Sequence, residues 1–272
     1  MEAKVKEYKA DFLLAVGGGN KIDICKVTAK DLSIPFVSIP TSVAHDGIAS
    51  DRASIKSTEG STSYGAVSPI AIIADTKIIN AAPHKYLAAG CADVISNLTA
   101  IRDWEIANKR IKEEMSSSAK VIARYAAEEI IINSGTIKFG QEESVWMVLK
   151  PIIASGVSML IAGSSRPTSG SEHLFSHALD KIKPGTALHG MQCGVGSIMM
   201  TKLQSGDWKR VRDALKSIGA ATTAKDLGFT EEEIIRALVE AKDVRKDRYT
   251  ILSDKVLTAK SARSLARATG VI

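Results

Sequence analysis

Two rhythms divide the chain. Near the N-terminus, apolar residues come in short runs closed by turn formers: Phe12-Leu-Leu-Ala-Val ending at Gly17, Phe36-Val-Ser-Ile between Pro35 and Pro40, and Ile70-Ala-Ile-Ile-Ala ending at Asp75. Such runs, bounded by Gly and Pro, predict buried parallel strands. Residues 20–31 predict a helix, so strand, helix and strand follow at βαβ spacing. Residues 2–9 read as helix, and 54–56 as a short hairpin arm before the third strand. From Pro83 the apolar period becomes helical, with helices expected at 85–91, 92–109, 116–137, 143–163, 171–179, 190–205, 208–218, 230–241 and 261–269. Thr230 followed by three glutamates is a strong helix start, and the stretch ending at Gly228 reads as a stop before it. The expected organisation is an α/β part over 1–82 and an all-helical part over 83–272.

Composition narrows the function classes. With 272 residues, 45% hydrophobic and 24% charged, the chain has the balance of a globular protein with a sizeable core. Aromatics are only 5%, which argues against a base-stacking nucleic-acid binder. The net charge of +6 comes from Lys and Arg scattered through helical stretches, the pattern of solvated faces; no nucleic-acid partner is expected. A mild positive field also suits an anionic small substrate or cofactor. Cys25, Cys91 and Cys193 are odd in number and set among small or apolar residues, as buried thiols in a reducing compartment would be. The chain opens on Met-Glu-Ala-Lys-Val-Lys-Glu, and apolar runs such as 157–163 look too short to span a bilayer, so a cytoplasmic protein without membrane insertion is expected.

Candidate chemistry concentrates in a few places. Of five histidines, His173 and His177 lie four apart, on one face of a helix, and His189 follows shortly after. The Ser/Gly loop before His173 ends at a helix N-terminus, where bare N–H groups favour anions. This is the pattern of a metal or an acid–base site. Gly17-Gly18-Gly19 with Asn20, Lys21, Ile22 and Asp23 lies between a strand and a helix, where a backbone without side chains can approach a phosphate. A plain tight turn is the alternative there, and Asp23 can equally complement the helix dipole. Thr41, Ser42, Val43 and Ala44 follow the second strand, at the end where ligands collect on such sheets. Asp46 could orient a substrate hydroxyl or form an ordinary turn with Gly47. Asp93, in an apolar helical stretch, needs a partner: a metal or a backbone cap.

Taken in order, Gly-Gly-Gly-x-x-Ile-Asp, Pro-Thr-Ser-x-x-His-Asp-Gly-x-x-Ser, Gly-x-x-Asp, Ser-Arg-Pro-x-Ser-Gly-Ser-Glu-His-x-x-x-His, His-Gly and Arg248-Tyr-Thr-Ile-Leu resemble the archaeal sn-glycerol-1-phosphate dehydrogenase family. That family is grouped with glycerol dehydrogenases, iron-type alcohol dehydrogenases and dehydroquinate synthase. The resemblance implies a partial Rossmann-like parallel sheet domain followed by a helical metal-binding domain. It implies NAD(P)-dependent interconversion of dihydroxyacetone phosphate and sn-glycerol 1-phosphate, the backbone of archaeal membrane lipids. Asp93, His173 and His189 match its metal ligands, for zinc or iron(II). His177 and Asp46 match residues that contact substrate, as Asp93 also does. Gly19 through Asp23, Thr41 through Ala44, and Ser50 match its dinucleotide contacts. Val43 and Ala44 would act through their backbone.

The family carries a further N-terminal stretch with the first strands of the cofactor domain, so weak dinucleotide binding and an exposed, association-prone sheet edge are expected here. Arg166 and the loop to Ser171 are the expected phosphate site, His177 or a water chain the expected proton relay, and a homo-oligomer the expected state. The alternatives are a glycerol or other polyol dehydrogenase of the same fold, and an inactive metal-binding homologue.

Overall fold

The computed structural model describes residues 1–57 and 60–272. A short helix, α1 (Glu2–Glu7), precedes a parallel sheet of β1 (Leu13–Gly17), β2 (Phe36–Pro40) and β5 (Ala71–Ile72) in the order β1-β2-β5. Leu13 stands opposite Phe36 and Gly17 opposite Pro40. Helix α2 (Gly19–Leu32) makes the crossover and packs against β1 and β2. An antiparallel hairpin of β3 (Arg52–Ser57) and β4 (Gly60–Gly65) stands apart from that sheet.

Two strand expectations change. β1 is not buried on both faces: Ala15 is buried, whereas Leu14 and Val16 are 55% and 58% exposed. α2 covers one side of the strand and leaves the other open. β5 is short because Asp75 leaves the strand to cap α3 (Thr76–Asn80), accepting the N–H groups of Lys77 and Ile78.

The remaining helices are α4 (His84–Ile95), α5 (Asn97–Ile111), α6 (Ser117–Ile132), α7 (Glu142–Ala162), α8 (Ser171–Ile182), α9 (His189–Leu203), α10 (Trp208–Ile218), α11 (Ala224–Leu227), α12 (Glu231–Val244), α13 (Ile251–Asp254) and α14 (Ala259–Thr269). The break between α4 and α5 falls at Ser96, whose hydroxyl donates to the Asp93 carbonyl at 2.6 Å, and not at residues 91–92 as expected. The stretch before Gly228, read as a stop alone, holds the one-turn helix α11 with a Thr223–Asp226 capping box. α7 is long and apolar enough to cross a membrane by length and composition, contrary to the expectation from its shorter apolar runs. Half of that window is buried inside the protein, where α7 packs on α6 and α4.

α4 and α9 form the centre. From Leu87 to Ile95 every residue of α4 is buried, and α9 is buried from Gln192 to Thr201, polar residues included. Two glycines set how closely α4 is approached. A Cβ on Gly90 would lie 2.0 Å from the Val43 carbonyl oxygen, and one on Gly190 would lie 2.0 Å from that of Ala89. α4 is therefore pressed between the loop after β2 and helix α9. The expected boundary at Ala82–Pro83 falls in the turn between α3 and α4.

Candidate active site

The glycine turn opens a cavity of about 640 Å³ that runs to the histidine cluster. Gly17 has φ +145°, a conformation that residues with a side chain rarely adopt, and Gly18 is the N-cap of α2. A Cβ on Gly19 would lie 1.9 Å from His45 Nε2, so the bare glycine admits that ring. His45 Nδ1 accepts the Gly47 N–H at 3.0 Å and shapes the turn that carries Asp46. Of the expected cofactor residues, Gly18, Gly19, Asn20, Lys21 and Asp23 line the cavity from α2, and Thr41, Ser42, Ala44 and Ser50 line it from the loop after β2. Gly17 lies behind the turn, and the side chains of Ile22 and Val43 belong to the buried core.

Asp23 does not stand open to the helix dipole. Its carboxylate accepts the Ser54 N–H at 3.0 Å and pairs with Lys26 Nζ at 3.1 Å. The Lys26 side chain is fully buried and also donates to the carbonyls of Gly47 and of Arg52, the latter at 2.6 Å. Burial pulls this ammonium below its usual value, and Asp23 beside it opposes that shift. One buried lysine thus ties α2 to the Asp46 turn and the hairpin, a role that its position in a plain helical stretch did not reveal.

At the other end of the cavity, Asp93 Oδ1 lies 3.8 Å from His173 Nε2 and 3.8 Å from His189 Nε2. The three residues come from α4, α8 and α9. Asp93 Oδ1 is buried and has no hydrogen-bond partner among the described residues. His173 Nδ1 faces Glu172 Oε1 at 2.9 Å; a carboxylate only accepts, so the proton sits on Nδ1 and the Nε2 lone pair faces Asp93. An orphaned carboxylate oxygen and ring nitrogens converging on one point fit a cation. Burial alone would lower His173, yet Cys193 and Glu172 raise it well above the usual histidine value. Asp93 is pushed up to about 7 by burial and by neighbouring Asp46, the cost of a carboxylate buried without a cation.

Cys193 Sγ is close to the same donors, but it lies 3.5 Å from His189 Nε2 and 3.9 Å from Nδ1. Such similar distances put the sulfur beside the ring, not ahead of the Nε2 lone pair. Asp93, His173, His189 and Cys193 form one metal-capable cluster, their ligand atoms all within 4.8 Å of one another.

Asp46 is not in a simple surface turn. Its N–H donates to Asp93 Oδ2 at 3.1 Å, and its carboxylate accepts the Ser155 hydroxyl at 2.8 Å. Burial pushes its carboxyl above the ordinary value, with the Ser155 hydrogen bond opposing. The His177 ring centroid is 5.9 Å from that of His189. His177 Nδ1 is buried with no hydrogen-bond partner among the described residues, and burial together with His173 pulls the imidazole down to about 3.

Of the expected phosphate site, Thr168 and Ser169 of the loop line the cavity, as does Ser165 just before it, whereas the Arg166 side chain is engaged elsewhere. Arg166 is buried and forms a bidentate pair with Glu113, with Nε at 2.6 Å from Oε1, while its third nitrogen donates to the Tyr249 carbonyl at 2.8 Å. Arg248 is likewise consumed, bracing the loop through the Ser169 carbonyl at 2.6 Å and Ser165 Oγ at 2.9 Å. Two arginines line the cavity among the described residues, Arg52 and Arg245, the latter also paired with Asp247 at 2.8 Å.

Residues 1–83 match the family described as iron-containing alcohol dehydrogenase. The glycerol-1-phosphate dehydrogenase (NAD(P)+) of Methanosarcina mazei is 51% identical over 269 residues, 99% of this chain and 75% of that protein. The corresponding protein of Methanothermobacter thermautotrophicus is 53% identical over 260 residues, 96% of this chain and 75% of its own. The chain belongs to the glycerol-1-phosphate dehydrogenase family. Its fold is shared with a probable glycerol dehydrogenase from Sinorhizobium meliloti, at a TM-score of 0.80 and 19% identity over 98% of this chain and 79% of that one.

Proposed function

We propose that this family member reduces dihydroxyacetone phosphate to sn-glycerol 1-phosphate with NADH or NADPH, at a zinc ion held by Asp93, His173 and His189. The observation that carries the reading is the convergence of these three donors at one end of a cavity whose other end is a glycine turn and helix N-terminus. Relatives half identical to the chain bear the name of this activity. Two histidines and one carboxylate with a position left open suit zinc and iron(II) alike, and zinc is taken for the tests below.

The residues divide the work. Gly18, Gly19 and the first N–H groups of α2 offer donors to a pyrophosphate, with the Thr41 and Ser42 hydroxyls beside them. The metal, when bound, supplies Lewis-acid stabilisation of negative charge on the substrate oxygen. His177, neutral at physiological pH, can hydrogen-bond a substrate hydroxyl through Nδ1, which has no partner among the described residues. Arg245 offers the cavity a guanidinium for the substrate phosphate, the group that separates this reaction from polyol oxidation.

The test is the full chain loaded with zinc, assayed by NADH and NADPH oxidation with the phosphorylated and unphosphorylated three-carbon ketones. Preferential reduction of the phosphorylated ketone to the sn-1 product is expected. Faster turnover of the unphosphorylated ketone, or formation of the sn-3 product, refutes the reading.

A further inference from the structure

A histidine binds a metal through one nitrogen, and whichever atom faces the other nitrogen decides where the proton goes. For His173 the answer is one step long, because Glu172 Oε1 faces Nδ1. Glu172 is itself held by the Gly170 N–H at 2.6 Å and the Thr99 hydroxyl at 2.7 Å. His189 Nδ1 lies 3.0 Å from the Ser176 hydroxyl. A hydroxyl can donate or accept and so settles nothing by itself.

Two further contacts remove the ambiguity. Gln192 Nε2 lies 3.0 Å from Asp180 Oδ1. A carboxylate only accepts, so the amide must turn its NH2 towards Asp180 and its oxygen towards Ser176. Gln192 Oε1 then takes the Ser176 proton, at 2.6 Å. With its single proton spent, Ser176 Oγ can only accept from His189 Nδ1. Nδ1 therefore carries the ring proton, and Nε2 presents its lone pair towards Asp93 Oδ1. Ser176 and Gln192 are fully buried and Asp180 is 8% exposed, so water is largely kept from the chain of bonds.

We propose that Asp180, acting through Gln192 and Ser176, sets the tautomer of His189 and thereby readies it for the metal. Asp180, Gln192 and Ser176 are positioning residues; none is a ligand. The inference rests on the metal site proposed above. It explains why a buried amide and a buried carboxylate on α9 and α8 are aligned behind a ligand they do not themselves extend. Replacing Asp180 by its amide breaks the logic without changing the shape. An asparagine can offer either its oxygen or its NH2, so Gln192 is no longer oriented. Ser176 can then donate to Nδ1, with the proton moved to Nε2.

The test compares zinc affinity, by chelator competition, in the unaltered full chain, Asp180→Asn, Ser176→Ala and His173→Ala, with melting curves to follow folding. Asp180→Asn and Ser176→Ala should bind zinc about 10- to 100-fold more weakly, with Asp180→Asn still folded. In the unaltered zinc-loaded chain, histidine 15N spectra should show His189 protonated at Nδ1 and bound through Nε2. Unchanged zinc affinity in Asp180→Asn while His173→Ala has lost zinc, or a His189 protonated at Nε2, overturns the relay. Zinc retained by His173→Ala overturns the metal assignment itself.

Discussion

Replacing Gly190 with alanine tests whether the metal site depends on the spacing of α4 and α9. The new Cβ would sit 2.0 Å from the Ala89 carbonyl oxygen, 2.8 Å from the Ala89 carbonyl carbon and 3.2 Å from Asp93 Cβ. The first two atoms are backbone, so no rotamer relieves them. An ordinary carbon–oxygen contact is about 3.3 Å, so the helices must part by about 1.3 Å along that line. His189 precedes Gly190, and Asp93 lies one turn beyond Ala89, so the displacement falls directly on the 3.8 Å separation of Asp93 Oδ1 and His189 Nε2. Metal–ligand distances tolerate only about 0.2 Å. Overpacking by a methyl costs about 1–3 kcal/mol of stability, a melting shift of several degrees in a chain of this size. The larger effect should be on zinc, with affinity lower by about 100-fold or more, since an entire ligand is displaced. The assay is chelator competition alongside thermal melting. A Gly190→Ala chain that melts lower but binds zinc as tightly as before would refute the reasoning, because the helices would then have adjusted without moving the ligands.

Arg166→Ala should lower stability by about 2 kcal/mol, by leaving Glu113 without its buried partner, yet keep the preference for a phosphorylated ketone; Arg245→Ala should do the reverse, raising KM for the phosphorylated substrate and leaving melting nearly unchanged. His177 should stay neutral from pH 5 to 8 because burial and His173 pull it down to about 3. Its unfolded value is higher, so this buried neutral ring contributes stability that is fully present above about pH 6.5 and is lost as pH falls towards 3; a His177 proton resonance titrating with a midpoint near 6.5 would contradict this. Leu14→Lys combined with Val16→Lys should reduce concentration-dependent light scattering, because the substitutions charge the exposed apolar face of β1; unchanged scattering would mean that another surface drives association.

Local chemistry was legible in the order of residues. The glycine turn between β1 and α2 follows from an apolar run meeting three glycines. The one-face placement of His173 and His177 follows from helical spacing alone. Where expectation failed, the cause was not local. Asp75 looked like a strand terminus and became a helix cap. α11 was hidden because its four residues carry no period, and its signal is the Thr223–Asp226 capping pair. His45 stood in plain view within a motif, but its fit against Gly19 depends on how the loop after β2 folds back.

The sequence by itself determined the period of each segment, the turns that join them and the kinds of side chain available for chemistry, because those properties are set within a few neighbouring residues. Only the tertiary structure decided which charges are spent and which face the cavity. Arg166, Arg245 and Arg248 are alike in sequence, yet one is paired with Glu113, one braces a loop and one lines the site. The meeting of Asp93 with His173 and His189, and the proton order running from Asp180 to His189, likewise depend on ångström-scale packing of α4, α8 and α9. Distances between remote helices come from the summed shapes of everything between them, and no short window of residues encodes that sum.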